Sequence, residues 1–181
     1  MNQEFILIIG DDNYPDNNKV TNRKEKEYPF ETVAFIPCTI SEDIGAFRRI
    51  ICMIYGKDNA ENQIQDWTKN KKEGIDVALE LKKEKGVVLA NQKGNKEKIK
   101  NFLKDNTGFN TVVLLGYSAA KLKDGFLKNI LSVKEIICYP HPSERSADAK
   151  HWGDIDYFKR GAKYDSMKTL LEVFSDKKQS D

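Results

Sequence analysis

The sequence FILIIGDDNYP, residues 5–15, contains the pattern from which the fold class follows. Five apolar residues, 5–9, run without a break and end at Gly10. An apolar run of this length is typical of a strand that is buried on both faces, as in a parallel sheet covered by helices. Asp11 and Asp12 come next, at the carboxyl end of the strand, where open α/β sheets bind their ligands. Acids in this position also form turns or cap helices, so the stretch alone leaves both interpretations open.

Strand-like and helix-like segments alternate along the rest of the chain. Three further strands are predicted at 87–90, 111–115 and 135–139, each of which contains a run of at least four apolar residues. Amphipathic patterns predict helices over residues 41–55, 73–85, 95–104, 118–131 and 154–174. This alternation predicts an α/β fold, namely a three-layer α/β/α arrangement with a four-stranded parallel central sheet.

Two long polar segments interrupt the alternation. Residues 16–28 are polar and of mixed charge, which predicts an exposed loop. Residues 57–72 are also very polar apart from two apolar side chains, and no helix or strand is predicted there. Arg48 and Arg49 flank the apolar stripe of the helix predicted over 41–55, and we expect both to face solvent.

Length and composition fit one folded unit. A chain of 181 residues lies within the range of a single hydrophobic core. We expect one domain over residues 1–175, followed by a polar tail over 176–181. Charged residues make up 32% of the chain, but the formal net charge is only +2. This balance neither requires nor excludes a nucleic-acid partner, because a phosphate-binding groove needs only local positive charge.

Apolar runs and cysteine spacing bear on the location of the protein. The longest apolar runs have five or six residues, too few to span a bilayer, and no secretory signal is visible. We therefore expect a cytoplasmic protein with no membrane partner. Cys38, Cys52 and Cys138 show no CxxC spacing, which argues against a disulfide framework, a zinc site and an iron–sulfur cluster. Their apolar neighbours predict buried, reduced thiols.

Polar side chains follow three of the four predicted strands. Asp12 and Tyr14 come after the first strand, Asn91 after the second and His141 after the fourth. Because a parallel sheet brings these strand ends to one edge, we expect the side chains to converge. An amide and an imidazole can recognise the edge of a flat heterocycle, while an acid nearby can serve hydrolysis. The motifs GxGxxG, GxxxxGK[ST] and GxSxG are absent, which disfavours dinucleotide, P-loop and serine hydrolase sites.

Five segments of the chain carry motifs that, taken in order, resemble a known enzyme family. GDDNYP at residues 10–15 resembles the water-activating motif GQDPY[HP], and AFIP at 34–37 is similar to AFSVP. KKEKGVVLANQ at 82–92 resembles QGVLLLN, and TVVLLGYSAAK at 111–121 is similar to VFLLWGxxAQ. YPHPSERSADAKHW at 139–152 resembles HPSPLS followed by HF, a loop that enters DNA. These motifs are those of the uracil-DNA glycosylase superfamily, and the chain most nearly resembles its uracil-specific branch.

The resemblance implies a role for each polar residue at the strand ends. Asp12 would position water and stabilise the developing oxocarbenium ion, while Tyr14 would form the wall that excludes the methyl group of thymine. Phe35 would stack under the base, Asn91 would pair with its O4 and N3–H, and His141 would donate to its O2. Cleavage of the glycosidic bond builds positive charge on the sugar and negative charge on the base, and a carboxylate and a neutral imidazole donor complement these two charges.

The same resemblance places DNA contacts in the segment after His141. Backbone N–H groups around Ser143 and Ser146 are candidates for holding a phosphate. Arg145 stands where the family inserts a leucine wedge into DNA, so unpaired strands are expected to be better substrates than duplex. Asp11 stands where the family has glutamine, which makes the water-activating turn more acidic.

The sequence thus predicts a monomeric, metal-free DNA glycosylase that needs no cofactor. It would hydrolyse the N-glycosidic bond of uracil, or of a related pyrimidine, and leave an abasic site in DNA. The alternative is a glycosylase-like module that binds nucleic acid or a free base without cleaving it. A third hypothesis is an unrelated doubly wound enzyme that acts on a nucleotide or other small ligand. It would be favoured if Asp12, Asn91 and His141 pointed apart.

Overall fold

A parallel sheet forms the centre of the protein. The computed structural model describes residues 5–11, 27–40 and 44–143. Its strands are β1 (Phe5–Gly10), β2 (Val87–Asn91), β3 (Phe109–Leu115) and β4 (Glu135–Tyr139). They form a four-stranded sheet, parallel throughout, in the order β2-β1-β3-β4. The predicted α/β class and the four-stranded parallel sheet are confirmed, and β4 has the predicted bounds.

The sheet is covered on both faces. Residues 6–9 of β1 expose no surface, and every residue of β2 is buried. Because successive side chains of a strand point to opposite faces, burial of consecutive residues means that other elements pack on each side. The predicted three-layer arrangement follows from this burial.

The helices connect the strands in the predicted alternation. Their bounds are α1 (Gly45–Tyr55), α2 (Lys57–Lys69), α3 (Gly74–Glu80), α4 (Lys96–Asp105), α5 (Tyr117–Ala120) and α6 (Leu122–Gly125). A π-helical turn, Leu81–Lys85, continues α3, and Gly86 ends it in the left-handed conformation with φ +63°. The predicted terminating role of Gly86 is thus confirmed. None of the described helices is long and apolar enough to cross a membrane.

Helix α2 was not predicted from the sequence. Only two of its side chains, Ile64 and Trp67, are large, apolar and fully buried, which is too weak a pattern to detect in a polar segment. Polar contacts to Glu80 add to the small area of apolar contact that this helix makes. Trp67 Nε1 donates to a carboxylate oxygen of Glu80 on α3 at 2.8 Å, and the ammonium group of Lys72 pairs with the other oxygen. Glu80 therefore connects the end of α3 to α2 through Trp67, and to the residues that follow α2 through Lys72.

The single helix predicted over residues 118–131 is wrong. The structure has α5, α6 and a short 3-10 turn, Leu127–Asn129, in its place. Leu122 and Leu127 are both buried although they lie five positions apart, a spacing that one straight helix cannot direct to one face. Gly125 between them also lowers helix stability by about 1 kcal/mol relative to alanine.

Two further expectations about burial are corrected. Cys138 is buried and Cys52 is half-buried, but Cys38 is exposed, because it lies in an irregular surface segment after Pro37. Tyr28, at the end of the predicted exposed loop, is buried. The helix predicted over 154–174 and the tail over 176–181 lie outside the described residues.

Tyr28 contacts the outer edge of β2. Its hydroxyl accepts a hydrogen bond from the Leu89 N–H at 2.9 Å and donates one to the Leu89 carbonyl at 3.0 Å. Because β2 is at one end of the strand order, the described part of the chain places no neighbouring strand beside these backbone groups. The tyrosine hydroxyl satisfies both of them, as a further strand would do. Burial raises the pKa of Tyr28 well above its ordinary value, so the hydroxyl keeps the proton that it donates.

Candidate active site

The strand ends that carry the predicted site residues meet at one edge of the sheet. The register pairs Gly10 of β1 with Asn91 of β2, and Leu115 of β3 with Tyr139 of β4. Backbone bonds continue beyond each pair. The N–H of the residue after Asn91 donates to the Gly10 carbonyl at 2.9 Å, and the N–H of the residue after Leu115 donates to the Tyr139 carbonyl at 2.8 Å. The chain segments that leave the sheet are therefore held side by side.

Phe35 lies over the end of β1. Its backbone adopts φ +63°, a conformation that is rare for a bulky residue and that costs roughly 1–3 kcal/mol. A Cβ atom placed on Gly10 would lie 2.4 Å from Cζ of the Phe35 ring, so only glycine fits beneath the ring. The ring centroid is 5.7 Å from that of His141, at an interplanar angle of 59°. The strained backbone and the glycine together place an aromatic ring beside the imidazole.

One ring nitrogen of His141 already accepts a hydrogen bond within the protein. The Ser143 N–H donates to Nδ1 of His141 at 3.1 Å. Burial lowers the pKa of His141 below its ordinary value, and the negative charge of Asp11 acts in the opposite direction. At neutral pH the imidazole is therefore uncharged and carries one proton. Because Nδ1 accepts a hydrogen bond, that proton lies on Nε2, which is left as a donor.

Asp11 and His141 come together across Gly116. Gly116 has φ +100° and ψ 164°, a region of backbone conformation that is essentially restricted to glycine. A Cβ atom there would lie 2.9 Å from Oδ2 of Asp11 and 3.1 Å from Cδ2 of His141. The other oxygen of Asp11 accepts a hydrogen bond from Nε2 of Gln92 at 3.1 Å. An acid, an amide and an imidazole thus surround the start of α5.

Asn91 is buried with an unsatisfied acceptor. Asn91 is only 1% exposed, and its Nδ2 donates to Oγ1 of Thr32 at 3.3 Å. Within residues 5–11, 27–40 and 44–143, Oδ1 of Asn91 has no hydrogen-bond partner. A buried acceptor without a partner costs about 1–3 kcal/mol, which is unusual enough in a folded protein to require an explanation. A ligand N–H is the kind of group that would satisfy it.

The loop that carries His141 is held from the outside by α1. Nη1 of Arg49 donates to the Pro142 carbonyl at 2.7 Å. Arg49 is half-buried, so the expectation that it faces solvent is wrong. Arg48 is exposed, as expected. The sequence pattern could not distinguish the two, because the partner of Arg49 lies 93 positions further along the chain.

The structure describes half of the predicted site residues. Phe35 and His141 lie together, and Asn91 ends the strand that pairs with the end of β1. The backbone N–H of Ser143 donates to His141, and its role as a phosphate donor stays a prediction. The remaining predicted site residues lie outside the described ranges, namely Asp12, Tyr14, Arg145 and Ser146.

Two residues of the site, Asp11 and Gln92, were given no role from the sequence, although Asp11 was placed with Asp12 at the ligand-binding end of β1. Each is adjacent in sequence to a residue that was given one, since Asp11 precedes Asp12 and Gln92 follows Asn91. Pairing of the Gly10 and Asn91 positions in the sheet is what brings them together, and that register could have pointed to them.

Metal ligation finds no support in the described part of the chain. No group of three or more histidine, cysteine, aspartate or glutamate side chains lies close enough together there to hold a metal ion. The expectation of a site without metal or cofactor stays a prediction.

The sequence was compared with protein families and with curated protein sequences. No protein-family model and no curated protein sequence matches this chain. The similarity to uracil-DNA glycosylases therefore depends on the five motifs, and the activity that they imply stays a prediction.

Proposed function

We propose that this protein is a DNA glycosylase that hydrolyses the N-glycosidic bond of uracil, or of a related pyrimidine, and leaves an abasic site. The observation that carries the proposal is the buried amide of Asn91, whose Oδ1 lacks a partner among the described residues. It lies at the same sheet edge as the donor nitrogen of His141 and the carboxylate of Asp11. An open acceptor, a neutral donor and an acid are the groups that this reaction requires.

The amide of Asn91 complements the edge of uracil. Uracil presents an N–H donor at N3 next to a carbonyl acceptor at O4, and an amide presents the opposite pair. One Nδ2 hydrogen is used by Thr32, which leaves the second hydrogen for O4 and Oδ1 for the N3–H. Cytosine has an acceptor at N3 and a donor at C4, so both contacts would be mismatched. Each buried group left without a partner costs about 1–3 kcal/mol, which is enough for strong discrimination.

His141 supplies a donor where negative charge develops. As the glycosidic bond breaks, the departing base becomes an anion whose charge is partly on O2. The Nε2–H of a neutral imidazole can donate to that oxygen, and its position is fixed in advance by the bond at Nδ1. A donor preorganised in this way is typically worth about 10²–10³ in rate.

Two adjacent residues, Asp11 and Asp12, are candidates for the carboxylate that the reaction requires. The resemblance assigns the water-positioning role to Asp12, which lies outside the described residues. Asp11 is the acid found beside His141, with one oxygen bound by Gln92. Either carboxylate would stabilise positive charge on the sugar, and substitution of each in turn separates their roles.

The energy needed to extrude a base determines which form of DNA is the better substrate. A base must leave the helical stack to reach a buried amide, at a cost of a few kcal/mol that is smallest in single strands. Arg145 replaces the apolar wedge of the resembling family, and a guanidinium fills the vacated space in a duplex less well. Single-stranded DNA is therefore the better substrate in this proposal, and Ser146 and Arg145 contribute phosphate contacts.

The experiment is excision from defined oligonucleotides. Matched single-stranded and U·A duplex substrates, each with one uracil, are incubated with the protein and treated with alkali to cleave at abasic sites. The control substrate carries thymine at the same position. Cleavage specific to uracil supports the proposal. Binding of the oligonucleotide without cleavage at high protein concentration overturns it in favour of a binding module, the second candidate.

A further inference from the structure

Two hydrogen bonds meet on a single peptide unit beside the site. The carbonyl of Pro142 accepts from Nη1 of Arg49 at 2.7 Å, while the N–H of Ser143 donates to Nδ1 of His141 at 3.1 Å. This carbonyl and this N–H belong to the same planar amide, so neither bond can form without fixing the direction of the other. Arg49 is thus joined to His141 through one rigid group.

The guanidinium affects both the orientation and the polarity of this peptide. A bond from a charged donor is shorter and roughly twice as strong as a neutral one, and the 2.7 Å distance fits that class. Positive charge at the carbonyl oxygen also polarises the amide, which makes the N–H on its other side a better donor. A stronger donor at Nδ1 favours the imidazole form in which Nδ1 is unprotonated.

Arg49 is itself fixed by the core. The next two positions of α1, Ile50 and Ile51, expose no surface, and Phe47 is equally buried. The helix therefore cannot rotate to follow the loop, and the loop must adapt to the guanidinium.

We propose that Arg49 is a positioning residue for His141. Acting through the Pro142–Ser143 peptide, it holds the imidazole in place and keeps its single proton on Nε2. The bond from Nη1 of Arg49 to the Pro142 carbonyl is the contact through which this role is exerted. The catalytic consequence depends on the proposed glycosylase function, whereas the position of the proton on His141 does not.

The charges around His141 determine how the test must be read. Asp11, at the end of β1, favours the imidazolium, and Arg49, on α1, reaches the loop rather than the ring. A substitution at Arg49 is therefore expected to change which nitrogen is protonated more than whether the ring is protonated. The measurement must distinguish the two nitrogens.

Nitrogen-15 NMR of the full chain without DNA makes this distinction. Two-bond proton–nitrogen correlations show which ring nitrogen carries the proton, and His151→Gln identifies the His141 signals, since the chain has two histidines. Wild type is expected to show a protonated Nε2 and an unprotonated Nδ1 above pH 7. In Arg49→Met the two nitrogen shifts should move toward each other, because the two neutral forms then exchange. Arg49→Lys should restore most of the wild-type pattern.

Arg48→Met is the matched control. It removes the same charge from the neighbouring, exposed position and should leave both nitrogen shifts unchanged. The proposal is overturned if Arg49→Met, folded by circular dichroism, keeps the wild-type pattern, or if Arg48→Met changes it equally. If Arg49→Met does not fold, Arg49→Lys and Arg49→Gln give the same comparison, since a lysine can still donate to the carbonyl with its charge.

Excision rates then connect the positioning role to catalysis. Arg49→Met should lower kcat by about 10–10²-fold with little change in KM, because misplacement of a reacting group by less than an ångström has effects of this size. If the tautomer depends on Arg49 but wild type excises nothing, the glycosylase function fails and the positioning role stands. If wild type excises uracil and the tautomer ignores Arg49, the positioning role alone fails.

Discussion

Replacement of Gly116 by alanine tests whether the meeting of Asp11 and His141 matters for activity. The added methyl group would lie 2.9 Å from the Asp11 carboxylate and 3.1 Å from the imidazole. Both side chains can move, so each would be displaced by a few tenths of an ångström rather than blocking folding. Displacements of this order at a reacting centre lower rates by about 10–10²-fold.

The same substitution also strains the backbone, and this effect must be separated from the first. At φ +100° and ψ 164°, an alanine costs about 1–3 kcal/mol. A loss of about 2 kcal/mol lowers the Tm of a domain of this size by about 4–8 °C. Gly56 offers a matched control, because it also precedes a helix, with φ 78° and ψ 154°. No described atom lies within 4 Å of a Cβ placed there, so Gly56→Ala introduces the strain without the crowding.

The assay combines thermal unfolding with the rate of uracil excision well below both Tm values. We expect the two variants to lose similar stability, whereas only Gly116→Ala loses activity beyond the strain effect. Equal excision rates for Gly116→Ala, Gly56→Ala and wild type would refute the reasoning, because the carboxylate and the imidazole would then tolerate displacement.

Three further predictions follow from the site. Asn91→Asp should weaken the preference for uracil over cytosine in a competition assay, because a protonated carboxyl can donate to N3 of cytosine. Asp12→Asn should lower excision by about 10²-fold or more, and Asp11→Asn should lower it less. Excision should fall on acidification only below pH 6.5, the ordinary pKa of histidine, because burial lowers the pKa of His141 and protonation of Nδ1 removes the acceptor that Ser143 uses. Asp11→Asn should move this decline to still lower pH, because the Asp11 charge favours the imidazolium.

Two of these predictions would be contradicted by a single result. Unchanged uracil preference in Asn91→Asp would show that the amide only supports the turn. A larger loss from Asp11→Asn than from Asp12→Asn would reverse the assignment of the acid.

The pH dependence of folding stability provides a second check on the pKa of His141. Because its pKa is lower in the folded state, the unfolded chain binds the proton first, so stability should decrease as pH falls below 6.5. His141→Gln should remove that part of the decrease.

The strands were predictable because their signal is local. Residues 87–90 and 136–139 are unbroken apolar runs, and a buried parallel strand can be recognised from such a run alone. Helix α2 was missed for the opposite reason, since its stability depends partly on Trp67 and its distant partner Glu80. The break within residues 118–131 similarly depends on tertiary packing, which buries both Leu122 and Leu127.

The site was predictable only where a residue follows a strand directly. Asn91 and His141 could be placed at the edge from topology alone, because parallel strands share an orientation. Gln92 and Arg49 gain their roles from partners 81 and 93 positions away, which no local pattern encodes. The left-handed backbone of Phe35 was likewise invisible, since nothing in AFIP requires it.

The position of β1 between β2 and β3 has a consequence for synthesis on the ribosome. The strand lies inside the sheet, yet Ile6 pairs with Val87 and with Thr111, so both neighbours are made much later. At about 5–20 residues per second, the ribosome needs roughly 4–16 s to reach the first partner. During that interval the apolar run FILII has no sheet to join, and exposed segments of this kind attract chaperones or aggregate. Expression at reduced temperature or with added chaperones should therefore raise the soluble yield more than any change to the surface of the folded protein.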